Sequence, residues 1–130
     1  MSENVITKHD GNKVKVVNEV DFEFKGLKLP AMVDENDEFW FLAKDVGKIL
    51  GVRSYREPVR TIIKDFEKGV RSSDTLGGKQ DMVFISEPGL YRWVMRAQTR
   101  KQFVAEFQDW VLHEVLPSIR KYGIYILEER

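Results

Sequence analysis

At 130 residues, with 42% hydrophobic and 32% charged side chains, the chain is long enough for one self-supporting core and too apolar for a disordered tail. Its 21 basic and 21 acidic side chains cancel, which argues against a nucleic-acid coat held by bulk charge. The absence of cysteine excludes disulfides and thiolate chemistry and suits a reducing setting.

No apolar run approaches the roughly 18 residues of a membrane helix. The opening "MSENVITKHD" lacks the apolar stretch of a signal peptide. The expected location is therefore the cytoplasm, or the nucleus of a eukaryotic host, with no membrane partner. Charge is segregated: residues 41–101 carry 13 basic and 7 acidic side chains, and both flanks are net acidic. A positive centre between acidic flanks suits a binding face, and equally an ordinary solvated surface.

Residues 1–20 are expected to be flexible or weakly ordered, although Val14 and Val16 alternate with Lys13 and Lys15 as in a short strand. "DFEFKGLKLPAMV" alternates more clearly, and Lys25-Gly26 between its two runs predicts a hairpin. A polar turn follows, then Phe39–Leu42, an apolar run that suits a buried strand.

From Ala43 the period becomes helical. Ala43, Val46, Ile49 and Leu50 share a face, and Gly51 offers a left-handed stop. Ser54 and Glu57 have capping-box spacing, and Pro58 suits a first turn. Val59, Ile62, Ile63 and Phe66 then form an apolar stripe that predicts a second helix running to Gly69. Residues 70–85 return to extended structure around Gly77-Gly78, a long hairpin with Lys79 at its tip.

Ser86 and Pro88 open a third helix that buries Leu90, Trp93, Val94 and Ala97. Thr99 and Gln102 suggest a break and a new cap. A fourth helix buries Phe103, Phe107, Trp110, Val111 and Val115; Pro117 ends or kinks it, and Gly123 closes a short extension. The predicted fold class is α+β: a small antiparallel sheet, a helix-turn-helix-like pair, a β-hairpin and two C-terminal helices.

Basic residues recur every fourth position at Arg56, Arg60, Lys64 and Lys68. On one helix that stripe centres roughly 130° from the apolar stripe and faces outward. A helix-turn-helix presents the start of its second helix to the major groove, so Arg53, Ser54, Tyr55 and Arg56 are the candidate base-proximal residues, with Arg60 and Lys64 further along. The plain alternative is the wet side of an ordinary helix. Lys79 would tip a wing beside that unit, unless the hairpin is simply solvated. Arg92 and Arg96 share a helical face. Arg100 and Lys101 sit where a helix begins, and cations there oppose the macrodipole, which suggests an anionic partner: phosphate, or an acidic protein surface.

Catalytic constellations are weak. His9 and His113 are isolated, and no ligand set has metal spacing. "GGKQ" lacks the rest of a P-loop. Glu23-Phe24-Lys25 with Asp10 has the letters of a metal-dependent nuclease, but alternating charge on an exposed strand explains them as well. No catalytic residue, metal or cofactor is expected.

Three blocks carry a resemblance. "FWFLAKDVGKILGV", "GGKQDMVFISEPGLYRWVMRA" and "FQDWVLHEVLPSIRKYGIY" resemble, in order, the signature blocks of the Bro-N domain, found at the front of baculovirus Bro proteins and of phage and prophage antirepressors. The matching positions include Phe41, Ala43, Lys44, Asp45 and Gly51, then Glu87, Gly89 and Tyr91, then Trp110, Pro117 and Gly123. The resemblance implies a Bro-N-like domain over 21–125 followed by a tail at 126–130, and a non-catalytic DNA-binding domain of an antirepressor-type transcription regulator. Its rival is a protein-interaction module that binds a repressor or other partner; homo-oligomer formation stays open. The link "RWVMRAQTRKQFVAE" departs from the family pattern, which implies a remodelled basic loop as an expectation. Residues 52–71 vary widely in the family, so the contacts there rest on the physical reading.

Overall fold

Lys25 and Gly26 both adopt positive φ, 50° and 83°. That conformation matches the twist of a two-residue hairpin and joins β2 (Lys13–Phe24) to β3 (Leu27–Asp34). The computed structural model describes residues 4–75, 78–97 and 102–129, apart from the side chains of 73–75, 79 and 124–129. The next turn is tied by Asp34, whose Oδ1 accepts the Asn36 and Glu38 N–H groups at 2.8 and 3.0 Å. Its Oδ2 accepts the buried indole N–H of Trp40 at 2.9 Å, on β4 (Phe39–Leu42).

The strands do not stop at a small sheet. β1 (Val5–Lys8), β5 (Lys68–Thr75) and β6 (Gly78–Ser86) complete a closed antiparallel barrel in the order β1-β2-β3-β4-β6-β5. The predicted small antiparallel sheet with a helix-turn-helix-like pair is thereby overturned. The barrel closes where Thr7 pairs with Val70 and Lys8 with Gly69. Residues 5–20, expected to be weakly ordered, supply β1 and most of β2.

Alternation along the strands feeds two cores. Ile6, Val14, Val16, Trp40 and Phe84, with Met32, Leu42 and Met82, come only from strands and fill the barrel. Their neighbours in the pleat, including Leu29, Ala31, Val33, Phe39, Phe41 and Ile85, face outward against the helices. β4 shows both roles in four residues, and fully burying each such side chain contributes roughly 1.5–3 kcal/mol.

Helix α1 (Ala43–Leu50) ends as the sequence predicts, on Gly51 with φ 72°. The second helix does not run to Gly69. α2 spans only Arg56–Thr61 and follows Tyr55, with no side-chain cap. β-Branched Thr61, Ile62 and Ile63 weaken its continuation, and the Thr61 hydroxyl bonds the Glu57 carbonyl instead of solvent. Lys64 is already extended, a 3-10 turn covers Asp65–Glu67, and Lys68 begins β5. Phe66, predicted to be buried, is 63% exposed.

α3 (Glu87–Arg96) is capped by Ser86, whose Oγ accepts the Gly89 N–H at 3.3 Å. α4 (Gln102–Trp110), a π-helical segment (Val111–Val115) and α5 (Leu116–Glu129) run on as one helix: it does not end at Pro117 or Gly123, and the irregularity expected at Pro117 takes the form of the π segment. The wide π turn lies directly before Pro117, where a regular helix would set the proline ring against the preceding turn. α4 packs its aromatic face on β2: Phe24 contacts the rings of Phe103, Phe107 and Trp110 at 5.2–5.3 Å. Lys25 and Glu106 form an ion pair that ties the β2–β3 turn to this helix. Among the described residues no helix is long and apolar enough to cross a membrane.

Candidate nucleic-acid interface

The exposed side of α1 carries Lys44 and Lys48, one turn apart. Its buried side, Ala43, Val46, Ile49 and Leu50, fixes the helix against the barrel, so both lysines must point away from it. The chain then doubles back through Val52–Tyr55. Close approach requires Gly47, because a Cβ there would stand 3.0 Å from both Tyr55 Cβ and Val52 Cγ2. Tyr55 is thus half-buried against α1, and the Arg56 guanidinium lies over its ring at 5.1 Å.

Between α1, this turn and β6 lies a groove of about 750 Å³. Lys44, Lys48 and Arg56 give it positive charge; Leu42, Met82 and Val83 give it an apolar floor; Tyr55 offers an aromatic edge. Two carboxylates also line it. Burial pushes the Asp45 carboxyl above its ordinary range despite the nearby lysines, which weakens its standing charge. Asp81 accepts the Ser72 hydroxyl at 2.8 Å. A concave surface with three cations, an exposed aromatic edge and polar groups suits a phosphate-bearing chain better than a reaction.

The structure brings some predicted residues together and separates others. Tyr55 and Arg56 line the groove. Arg53 and Ser54 are exposed in the turn before α2, with Ser54 Oγ accepting the Arg56 N–H at 3.3 Å. Arg60 is exposed on α2 and pairs with Glu57 at 2.7 Å. The stripe Arg56–Arg60–Lys64–Lys68 does not exist as a helical face, since Lys64 and Lys68 lie beyond the end of α2. Lys79 belongs to β6, paired with Asp74 of β5, so the expected wing is two staves of the barrel.

Arg92 is committed elsewhere: its Nε and Nη2 donate to both oxygens of Glu67 at 2.9–3.2 Å. Arg96 is exposed in the last turn of α3. Arg100 and Lys101 lie outside the described residues.

Lys44 and Lys48, which line the groove, are not among the residues the sequence reading singles out. Their signal is present in the sequence, four apart and opposite the apolar face of α1. The nuclease letters do not assemble: Lys25 is paired with Glu106, and Asp10 holds its own turn by accepting the Asn12 N–H at 3.0 Å. Among the described residues no cluster of three or more metal-ligating side chains occurs.

Comparison with known proteins gives a consistent set of relatives. The family model described as the BRO family, N-terminal domain, Bro-N, matches residues 28–117. An uncharacterized protein of Haemophilus influenzae is 39% identical over 107 residues, covering 82% of this chain and 52% of that protein. A Bro-N domain-containing protein of Invertebrate iridescent virus 6 is 32% identical over 124 residues, 80% of this chain and 28% of its own length. Another, from Invertebrate iridescent virus 3, is 31% identical over 131 residues, with 84% and 31% covered. The chain thus spans about half the length of the first relative and less than a third of the two viral ones. No solved structure matches it.

Proposed function

The chain belongs to the Bro-N family, and on that premise we propose that it is a non-catalytic DNA-binding domain of a viral or prophage antirepressor-type transcription regulator. The observation that carries this reading is the groove where Lys44, Lys48, Tyr55 and Arg56 converge. Its cations bind backbone phosphates, while the apolar floor and Tyr55 take sugar and base surface. Arg53, Ser54, Arg60 and Lys64, exposed in and around α2, together with Lys79, Arg96, Arg100 and Lys101, are proposed as further contacts outside the groove. Arg92 acts through the fold, by holding Glu67.

Binding is reversible and no bond is made or broken. Affinity comes mainly from release of counterions, so about half a dozen phosphate contacts give a steep fall in binding with salt. The test is fluorescence anisotropy of labelled random-sequence duplex and single strand at ~50 and ~200 mM salt. The reading requires binding at the lower salt that drops by more than tenfold at the higher.

A second reading is a protein-interaction module that binds a repressor or another acidic partner through the same groove. The zero net charge favours it. Absence of binding to either nucleic acid at low salt, with retention of an acidic protein partner, would select it.

A further inference from the structure

The other end of the β4–β6 pair has a different chemistry. β4 runs from Phe39 to Leu42, antiparallel to β6, with Trp40 opposite Ser86 and Leu42 opposite Phe84. Leu42 borders the basic groove, whereas Phe39 and Ser86 border a second pocket of about 330 Å³. Phe66 stands in its wall, 63% exposed, a large apolar side chain left facing solvent. Around it are Asp37, Glu38, Glu87 and Pro88, and among the described residues no lysine or arginine lines this pocket.

We propose that this pocket is a docking site for a protein segment carrying an aliphatic or aromatic side chain flanked by lysine or arginine. The apolar side chain would pack on Phe66 and Pro88, and the flanking cations would meet Glu38 and Glu87.

Three features support it. The rim is preformed: Asp34 fixes the turn bearing Glu38, and Ser86 caps the helix that begins with Glu87. The Glu67 carboxylate beneath is already neutralised by Arg92, so the outer carboxylates set the sign of the surface. Burial holds the Glu87 carboxyl above its ordinary range and weakens its standing charge, as at Asp45, so the exposed Glu38 leads and a cation settling beside Glu87 offsets its desolvation. Because the two sites lie at opposite ends of the same strands, a partner here leaves the basic groove open.

The experiment is a titration of ¹⁵N-labelled protein with the peptide Lys-Lys-Leu-Lys-Lys, with Glu-Glu-Leu-Glu-Glu as control. The proposal predicts amide shifts confined to 37–39, 66–67 and 86–88 with the basic peptide alone. Phe66→Ala and Glu38→Gln should each weaken that binding by roughly tenfold. Phe66 is exposed, so its variant keeps the dispersed spectrum of the folded chain. DNA binding by Phe66→Ala should equal that of the parent, which separates failure here from failure of the DNA reading. Shifts that map to Lys44–Arg56, equal response to both peptides, or binding indifferent to Phe66 would overturn the proposal. So would shifts at these residues on raising protein concentration without peptide, which would assign the pocket to a second copy.

Discussion

Gly69 lies against Ile6 so closely that a Cβ at position 69 would fall inside van der Waals contact with the isoleucine Cγ2, and 3.2 Å from the Trp40 ring. These residues are 63 positions apart in sequence and meet where the barrel closes, beside the Lys8–Gly69 pair. The contact makes the closure testable. Gly69→Ala should destabilise the fold by about 1–3 kcal/mol through overpacking. Ile6→Ala alone should cost about 2–5 kcal/mol. Combined, they should cost less than the sum, because the smaller side chain makes room for the new methyl. Urea unfolding of the four proteins measures the cycle.

The same glycine explains why the barrel was not legible. Locally, Gly69 after Val59, Ile62 and Ile63 reads as a helix stop. Its physical role is set by Ile6, and no local period reports a partner that distant. Phe66 departs from expectation for the same reason: helical spacing points it inward, but the helix ends at Thr61 and the chain changes course. By contrast, the Lys25-Gly26 hairpin, the Gly51 cap and the Ser86 cap were legible because each is decided by neighbouring residues. The groove was half legible. Tyr55 and Arg56 stood out, whereas its β6 wall depended on the closed sheet.

Glu67 is 2% exposed and is bonded by Arg92 and by the Lys64 N–H. Burial alone would raise its carboxyl, but those hydrogen bonds outweigh it and hold the group below the ordinary glutamate range. A depressed folded value means stability that is full above the unfolded value and is lost as the pH falls through the folded one. The melting temperature should therefore fall on acidification below the ordinary glutamate range, and Glu67→Gln should flatten that part of the profile. Arg92→Met should lower the midpoint at neutral pH by about 5 °C or more, since it strands a buried carboxylate. Thermal melts across pH check both.

Asp34 should be the least replaceable turn residue. Asp34→Ala leaves the buried Trp40 indole N–H and the part-buried Asn36 and Glu38 N–H groups without their acceptor. The expected loss is at least about 2 kcal/mol, read from denaturant unfolding by tryptophan fluorescence.

Gly47 positions the aromatic edge of the groove. In a helix, alanine gains about 0.8–1 kcal/mol over glycine. Here its methyl would press on Tyr55 and Val52, at about 1–3 kcal/mol. The steric term wins, so Gly47→Ala should be mildly destabilising. It should also weaken DNA binding several-fold, with no charge changed and the salt slope preserved. Anisotropy titration alongside urea unfolding separates the two effects.

The groove bordered by α1 and Arg56 is the proposed nucleic-acid surface. Its most direct measurement is DNA binding by the double variant Lys48→Glu, Arg56→Glu at ~50 mM salt, beside Arg96→Glu as a basic position outside the groove, with thermal melts to confirm folding. The double variant should melt like the parent and lose at least about a hundredfold in affinity, while Arg96→Glu should lose about tenfold or less. Parent-like binding by the folded double variant would contradict this assignment and remove the groove as the DNA site.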